Sequence, residues 1–200
     1  MSYPKWKRVF DVVGAFVGLI IIVPFVPFIA LAIKIETQGP VIVKLGRISE
    51  GRRVEVYKFR SMIVGSARFK KNLVHLNERS DGPFFKIRKD PRLTKTGVFL
   101  RKFRIDEFPQ FINVLKGELA LVGPRPHEPE EVAAYPEEYK HVASCRAGVT
   151  GYSQVNGSSS LPFLRELELD SWYIQHVSLL GDMRVIMKTI AILFFDPTAV

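Results

Sequence analysis

Between Phe84 and Arg104 the chain carries eight basic residues (Lys86, Arg88, Lys89, Arg92, Lys95, Arg101, Lys102, Arg104) against a single acid, Asp90. It then runs directly into Ile105-Asp106-Glu107-Phe108-Pro109. A carboxylate pair downstream of a cation cluster suits phosphoryl chemistry. The cations neutralise phosphate oxygens, while a carboxylate can hold a divalent cation or act as a nucleophile. The same residues also suit a helix start. Asp106 would be the N-cap, Pro109 would sit in the first turn, and Phe108, Ile112 and Leu115 would form the buried stripe. Spacing alone leaves both readings open.

Other candidates carry less. Gly148, Gly151 and Gly157 form neither a dinucleotide fingerprint nor a P-loop, and read as a turn-rich connector. His75, His127, His141 and His176 lack metal-ligand spacing. Cys145 stands alone and reads as structural, which excludes a disulfide framework or a multi-thiolate metal site. Asp170 and Asp182 suit capping or helix ion pairs. Trp6, Trp172 and Tyr173 suit a headgroup-level belt or a core.

Something must hold that pair and its cations in place, and the first candidate is an anchor. From Val12 to Ile33 there are 22 residues without a charge, Ser, Thr, Asn or Gln. As a helix they would reach about 33 Å, enough for a hydrocarbon core of about 30 Å. Pro24 and Pro27 withhold the N–H groups that the carbonyls of Ile20 and Val23 need, so a bend is expected there. Both flanks are basic. Lys5, Lys7 and Arg8 precede the run; Lys34, Lys44, Arg47, Arg52 and Arg53 follow it. The positive-inside rule then places both ends in the cytoplasm, as a broken helix that enters and leaves by one face would. A kinked single span and a buried core helix are the competing forms, and Gly14 and Gly18 offer a small-residue packing face.

Downstream, Val41–Val43 and Val54–Phe59 read as a hairpin around a turn at Gly51-Arg52-Arg53. Ser66–Glu78 reads as a helix broken by Asp81-Gly82-Pro83. Gly97–Lys102 and Asp106–Lys116 read as helices, the second stopped by Gly117. Leu119–Val122 is a strand leading into Gly123-Pro124-Arg125-Pro126. Glu128–His141 leans helical, and residues 147–160 read as a loop. Leu161–His176 and Asp182–Phe195 read as two amphipathic helices.

The totals set the frame. The chain has 200 residues, a formal net charge of +9, 47% hydrophobic residues and 15 Phe. That is enough for one core without a staple and excludes global disorder. An apolar average with a basic balance points to a polyanionic partner together with lipid, with nucleic acid as the rival partner.

Five segments occur in order: Tyr57-Lys58-Phe59-Arg60-Ser61-Met62, Arg101 to Gln110 (RKFRIDEFPQ), Asn113-Val114-Leu115-Lys116-Gly117, Val122-Gly123-Pro124-Arg125-Pro126, and Gly148 to Gly157 (GVTGYSQVNG). Together they resemble the bacterial sugar transferase family, the monotopic phosphoglycosyl transferases that begin surface-glycan assembly. Longer relatives carry extra N-terminal transmembrane helices, so the chain resembles the minimal catalytic unit. The resemblance implies an α+β fold, with a kinked re-entrant membrane helix over 1–36. A compact, mainly helical cytoplasmic domain over 37–200 would follow, with short strands, a hairpin and amphipathic interfacial helices. It implies transfer of a sugar 1-phosphate from a UDP-sugar to a polyprenyl (undecaprenyl) phosphate, releasing UMP, at the cytoplasmic face of the bacterial inner membrane. Asp106 would be the nucleophile and Glu107 its partner in metal or proton handling, with magnesium held by Asp106 and Glu107. Lys58, Arg101 and Arg125 would bind phosphate. The implied partners are the donor, the lipid acceptor and membrane lipid, with no nucleic acid; oligomeric state stays open. Three departures stand out. Phe108 replaces the usual Leu. Val23 replaces a Ser before the kinking Pro. The glycine loop opens on Ala147 and is followed by Ser158 where relatives have a basic residue, with Arg146 nearby.

Overall fold

The apolar run forms two helices, α1 (Lys5–Ile22) and α2 (Val26–Glu36), joined by a 3₁₀ turn at Val23–Phe25. The computed structural model describes residues 3–157 and 160–195; Ser158 lies outside them. Each proline sits in the first turn of its segment, where a missing N–H costs no bond. The Val23 carbonyl, deprived of its donor by Pro27, accepts instead from Val26 N–H. The local 3₁₀ geometry thus returns a donor to one of the two carbonyls that the prolines deprive.

One face of α1 is fixed by its glycines. A Cβ at Gly14 would lie 2.3 Å from Leu121 Cδ1, and one at Gly18 would lie 2.4 Å from the Phe111 ring. The small-residue face is therefore spent inside this chain. The opposite face exposes Val9, Val13, Phe16, Val17 and Ile20, continued on α2 by Phe28, Leu31 and Ile35. By length and composition this segment could cross a membrane.

The polar end of α1 is not a free basic flank. Lys7 is buried, ion-paired to Asp182, and donates to Tyr173 Oη at 3.1 Å. Tyr173 Oη donates to Asp182 Oδ1 at 2.6 Å. Arg8 donates to the carbonyls of Val114 (2.6 Å) and Leu115 (2.8 Å), where a cation meets a helix C-terminus. Asp11 accepts from Leu121 N–H at 2.9 Å. Lys7 and Arg8, read from sequence as topology signals, act as internal fasteners.

After α2 comes a long hairpin, β1 (Ile42–Ser49) and β2 (Arg52–Phe59), antiparallel with Ser49 opposite Arg52. The two-residue turn is Glu50-Gly51, both at positive φ (52° and 70°), which matches the strand twist. The first strand is longer, and the turn one residue earlier, than the sequence suggests. The expected helix over 66–78 is two pieces: α3 (Ser66–Phe69) and a 3₁₀ run at Lys71–Leu76. Neither buries a side chain, so no packed face holds a longer helix together.

Next come α4 (Lys95–Lys102), a 3₁₀ turn at Ile105–Glu107, and α5 (Gln110–Lys116), which Gly117 ends at φ 80°. This corrects two expectations. Helix α5 starts after the carboxylate pair, so Asp106 is not its N-cap. Its buried positions are Gln110, Asn113 and Val114, while Ile112 is exposed. The chain then forms β3 (Ala120–Val122), α6 (Pro129–Ala133), a 3₁₀ turn at Glu137–Tyr139 and α7 (Lys140–Ala143). It closes with β4 (Gly148–Thr150), α8 (Tyr152–Val155), α9 (Phe163–Gln175) and α10 (Leu179–Phe195). The connector read as a loop therefore holds a strand, and β4 pairs in parallel with β3. The fold is mixed α and β, as the sequence suggests.

Two apolar clusters hold it. The larger gathers Ala15, Val114, Leu119, Val122 and Leu167 beneath β3 and α9. The smaller joins Ile22 and Ile33, one from each membrane-type helix, to Phe59 of β2 and Leu100 of α4. Exposed apolar residues continue on α4 (Val98, Phe99) and α10 (Leu180, Met183, Met187).

The Lys7–Asp182 pair generates a stability prediction. Removing one partner strands a buried charge, at a cost of about 3–5 kcal/mol, whereas replacing both with apolar residues costs far less. Asp182→Ala should therefore lower the unfolding midpoint of the detergent-solubilised protein sharply, and Lys7→Met/Asp182→Leu should recover more than half of that loss. A double variant as unstable as the single one would show that the pair is not the fastener.

Candidate active site

Asp106 and Glu107 sit in the 3₁₀ turn between α4 and α5, at the wall of a cavity of about 640 Å³. Lys58, Arg101 and Arg125, named from sequence, line the same cavity. Each is delivered by a different element.

Lys58 comes from β2, which Asn113 of α5 grips directly. Asn113 accepts from Tyr57 N–H at 3.0 Å and donates to Glu55 O at 2.7 Å. This lashes the strand to the helix that follows the carboxylate pair. Lys58 Nζ then reaches Glu107 Oε1 at 2.6 Å, with each side chain about a quarter exposed (23% and 24%).

Arg101 rides the last turn of α4 and donates from Nε to Ser61 Oγ at 3.0 Å. Helix α4 is pressed against Ser61, whose carbonyl would lie 1.8 Å from a Cβ at Gly97. Its N-terminus is capped twice: Thr94 Oγ1 accepts from Gly97 N–H at 2.9 Å, and Glu36 accepts from Lys95 N–H (2.5 Å) and Thr96 N–H (2.8 Å). Glu36 ends α2. Arg60 completes the joint by donating to the carbonyls of Thr37 and Gln38, both at 2.7 Å.

Arg125 follows β3 across a backbone crossing in which Gly123 donates to Thr150 O (2.9 Å) and Gly148 to Pro124 O (2.8 Å). A Cβ at Gly148 would come within 2.1 Å of Gly123 N, so these glycines serve close backbone approach. Arg125 N–H donates to Asp170 Oδ2 at 3.2 Å, and Ser153 N–H to Asp170 Oδ1 at 3.4 Å. Asp170 is wholly buried, and that burial pushes its carboxyl up to about 6 despite the pull of Ser153, His127 and the Arg125 amide.

The two carboxylates are held differently. Burial works against ionised Glu107, but the Lys58 charge and hydrogen bond, aided by Arg125 and Arg104, outweigh it and hold the group down at about 2. Asp106 is 4% exposed. Burial raises its pKa; Lys58 and Arg101 pull it down, the Glu107 charge pushes it up, and the net direction is upward. Among the described residues its carboxylate makes no ion pair and no hydrogen bond to another side chain. It is a buried carboxylate at the wall of a cation-lined cavity.

The cavity also contains residues the sequence reading did not assign. Arg104 lines it from a left-handed backbone, φ 52°, which costs a non-glycine residue energy and occurs two residues before Asp106. Gln110 and Gln154 line it too, and each has a buried Oε1 without a partner. Both lie within motifs quoted for the family resemblance, which was their only signal. The histidines are structural or exposed: His127 packs between Tyr135 and Glu166, and His141 bonds Ser171. Asp182 belongs to the Lys7 network, and Cys145 is partly buried in the larger core.

The cavity thus brings four cations, Lys58, Arg101, Arg104 and Arg125, to two adjacent carboxylates. A family model described as bacterial sugar transferase matches residues 2–196. The chain belongs to the bacterial sugar transferase family. It is 39% identical over 195 residues to the galactosyl transferase CpsE of Streptococcus agalactiae, covering 96% of this chain and 43% of that protein. It is 35% identical over 197 residues to the UDP-glucose:undecaprenyl-phosphate glucose-1-phosphate transferase of Escherichia coli K12, covering 92% and 39%. It is 32% identical over 185 residues to the uncharacterized sugar transferase EpsL of Bacillus subtilis, covering 92% and 85%. The chain therefore spans about two-fifths of the length of the first two relatives and most of the third.

Part of a divalent-cation site is present at the cavity wall. Asp106 and Glu107 offer the hard carboxylate oxygens that magnesium prefers. Among the described residues no group of three or more His, Cys, Asp or Glu side chains converges. The remaining ligands would be phosphate oxygens and water, the usual arrangement for magnesium at phosphate sites.

Asp170 generates a pH prediction. Its folded pKa, about 6, lies above the ordinary 3.8, so the folded state keeps a proton that the unfolded chain releases. The resulting stability is fully present below about pH 3.8 and is lost as pH rises through about 6. Subtracting the unfolding free energy of Asp170→Asn from that of the wild type isolates the group. The difference should fall by up to about 3 kcal/mol across that window and stay flat above it. A flat difference throughout would show that folding leaves the Asp170 carboxyl at its ordinary 3.8.

Proposed function

We propose that this chain transfers a sugar 1-phosphate from a UDP-sugar to a polyprenyl phosphate, through a phosphosugar carried on Asp106. The observation that carries the reading is the buried Asp106 carboxylate, without a side-chain partner among the described residues, at the wall of a cavity lined by Lys58, Arg101, Arg104 and Arg125. The names of the relatives supply the donor and acceptor classes.

In the first step an Asp106 oxygen attacks the β-phosphorus. The bond from that phosphorus to the α,β-bridging oxygen breaks, and the electron pair leaves with UMP. In the second, a phosphate oxygen of the lipid attacks the same phosphorus, the bond to Asp106 breaks, and a polyprenyl diphosphate sugar leaves. The ionised form of Asp106 is required; burial works against it, and the charges of Lys58 and Arg101 work for it. Arg101, Arg104 and Arg125 take the charge on the phosphate oxygens; Arg suits this because it is always charged and bidentate. Glu107 keeps Lys58 oriented at the pair and stays ionised. Bound magnesium, held by Asp106 and Glu107, would neutralise charge on the diphosphate.

The substrates meet at a membrane, and we place the protein at the cytoplasmic face of the bacterial inner membrane with the α1–α2 segment as a re-entrant hairpin. Both ends of the apolar run are fastened to the same domain: Lys7 to Asp182 on one side, Glu36 to α4 on the other. In a chain freed of its native thiol by Cys145→Ser, cysteines placed at the exposed Lys5 and Gln38 should both react with an impermeant reagent in inverted vesicles and neither in intact cells. Labelling of one site from each side would show a true span.

The chemistry has its own test. Given a UDP-sugar and magnesium without lipid, the wild type should release up to one equivalent of UMP and gain a hexose phosphate on the peptide containing Asp106. Asp106→Asn should stay folded and lose transfer by a factor of at least about 10³. Release of UDP instead of UMP, or an active Asp106→Asn protein, would overturn the mechanism.

A further inference from the structure

The residues that follow β2 run along one face of α4. Thr94, which caps that helix, Gly97 and Arg101 are spaced i, i+3 and i+7, so they share a face. All three meet Ser61. The Ser61 carbonyl accepts from Thr94 N–H at 3.1 Å. It would lie 1.8 Å from a Cβ at Gly97. Ser61 Oγ accepts from Arg101 Nε at 3.0 Å. The backbone on either side of Ser61 is tied as well: Arg60 N–H donates to Val41 O at 2.8 Å, and Ile63 N–H to Arg92 O at 2.9 Å. Ser61 is buried, and with Arg101 it lines the cavity that holds Asp106.

We infer that Ser61 is a positioning residue that aims the Arg101 guanidinium at the donor's phosphates, a reading that rests on the function proposed above. A guanidinium can grip a phosphate by either of two edges, Nε with Nη2 or Nη1 with Nη2. Ser61 occupies Nε and so closes the first edge. Among the described residues, Nη1 and Nη2 have no hydrogen bond and no ion pair. They are the fork left for two phosphate oxygens. The Arg101 charge already acts on Asp106 and on Asp90, so the group sits where charge on a reacting phosphate would be felt.

Aiming matters for a side chain of this length. Arg is rich in rotamers, and freedom that Ser61 removes before the donor arrives is not lost when it binds. A guanidinium released from Ser61 would keep its charge and lose its geometry, which slows the reaction without unfolding the protein.

The test is a double-mutant cycle on UMP release by the detergent-solubilised full chain, with magnesium and polyprenyl phosphate. The donors are a panel of UDP-glucose, UDP-galactose and their N-acetylamino forms. Ser61→Ala should lower kcat/KM about tenfold. Arg101→Lys, which puts a methylene where Nε stood, should cost at least as much. Ser61→Ala/Arg101→Lys should then lie within about twofold of Arg101→Lys alone, because the hydroxyl has no Nε left to hold. A purely structural role for Ser61, a general loss of fold, or direct contact of its hydroxyl with phosphate each predicts the opposite: the Ser61→Ala loss persists in the Arg101→Lys background. If it persists, if Ser61→Ala is as active as wild type, or if Arg101→Lys costs nothing, the inference falls alone. If the wild type releases UMP from no donor in the panel, the proposed function fails and takes this inference with it.

Discussion

One cation, Lys58, divides two adjacent carboxylates into different jobs. Without it, two acids on one short turn at the wall of a cavity would repel. Lys58 pairs with Glu107 at 2.6 Å, and its charge also pulls on Asp106. Glu107 is therefore held ionised, while Asp106 has no side-chain partner among the described residues. The nucleophile proposed above needs a carboxylate that is not committed to another side chain. The rest of the molecule can be read as what is required to keep Lys58, on a strand, within reach of a turn some fifty residues later.

That reach is secured by the elements on each side. Asn113 bonds β2 through backbone groups of Glu55 and Tyr57, which fixes the strand register next to α5. On the other side, Glu36 and Arg60 join the end of the apolar run to α4 and β2. The helix that carries Arg101 is thus capped by the residue that ends α2. On the function proposed above, a lipid-borne substrate arrives at a defined height over a buried carboxylate, and joining α2 to α4 through backbone amides sets that height with few rotatable bonds. Charged fasteners at both ends of an apolar helix also explain why Lys7 and Asp182 tolerate burial, since each is satisfied by the other and by Tyr173.

Much of this was legible in the chain, but by different routes. The apolar run, the hairpin, β3 and the two closing helices follow from periodicity and turn residues. Strand β4 was not legible, because Gly148-Val149-Thr150 is three residues long and its pairing with Ala120–Val122 is non-local. The helix over 66–78 failed because propensity without a buried face does not hold a helix. Asp106 was ambiguous on spacing, and only the helix start at Gln110 removes the cap reading. Lys58, Arg101 and Arg125 came from ordered motifs, since nothing in local spacing brings residues 58, 101 and 125 together. Arg104, Gln110 and Gln154 were present in the same motifs but had no signal of their own until burial and backbone strain were known.

The destination of the positive charge decides what the net +9 means. Lys7, Arg8, Arg60 and Arg92 are committed to buried ion pairs or backbone carbonyls. Lys70 and Arg47 share Glu128, and Arg146 holds Glu50 in its left-handed turn. Arg101, Arg104 and Arg125 converge with Lys58 on one cavity. A nucleic-acid surface needs cations spread along a path and free to meet successive phosphates. Here the guanidinium groups nearest the carboxylate pair are gathered around a concave volume, which suits a few phosphates held tightly next to a nucleophile. The basic balance that first suggested a long polyanion thus includes Lys7, Arg8 and Arg60, which fasten the apolar segment to the domain, and the four cations gathered at the cavity.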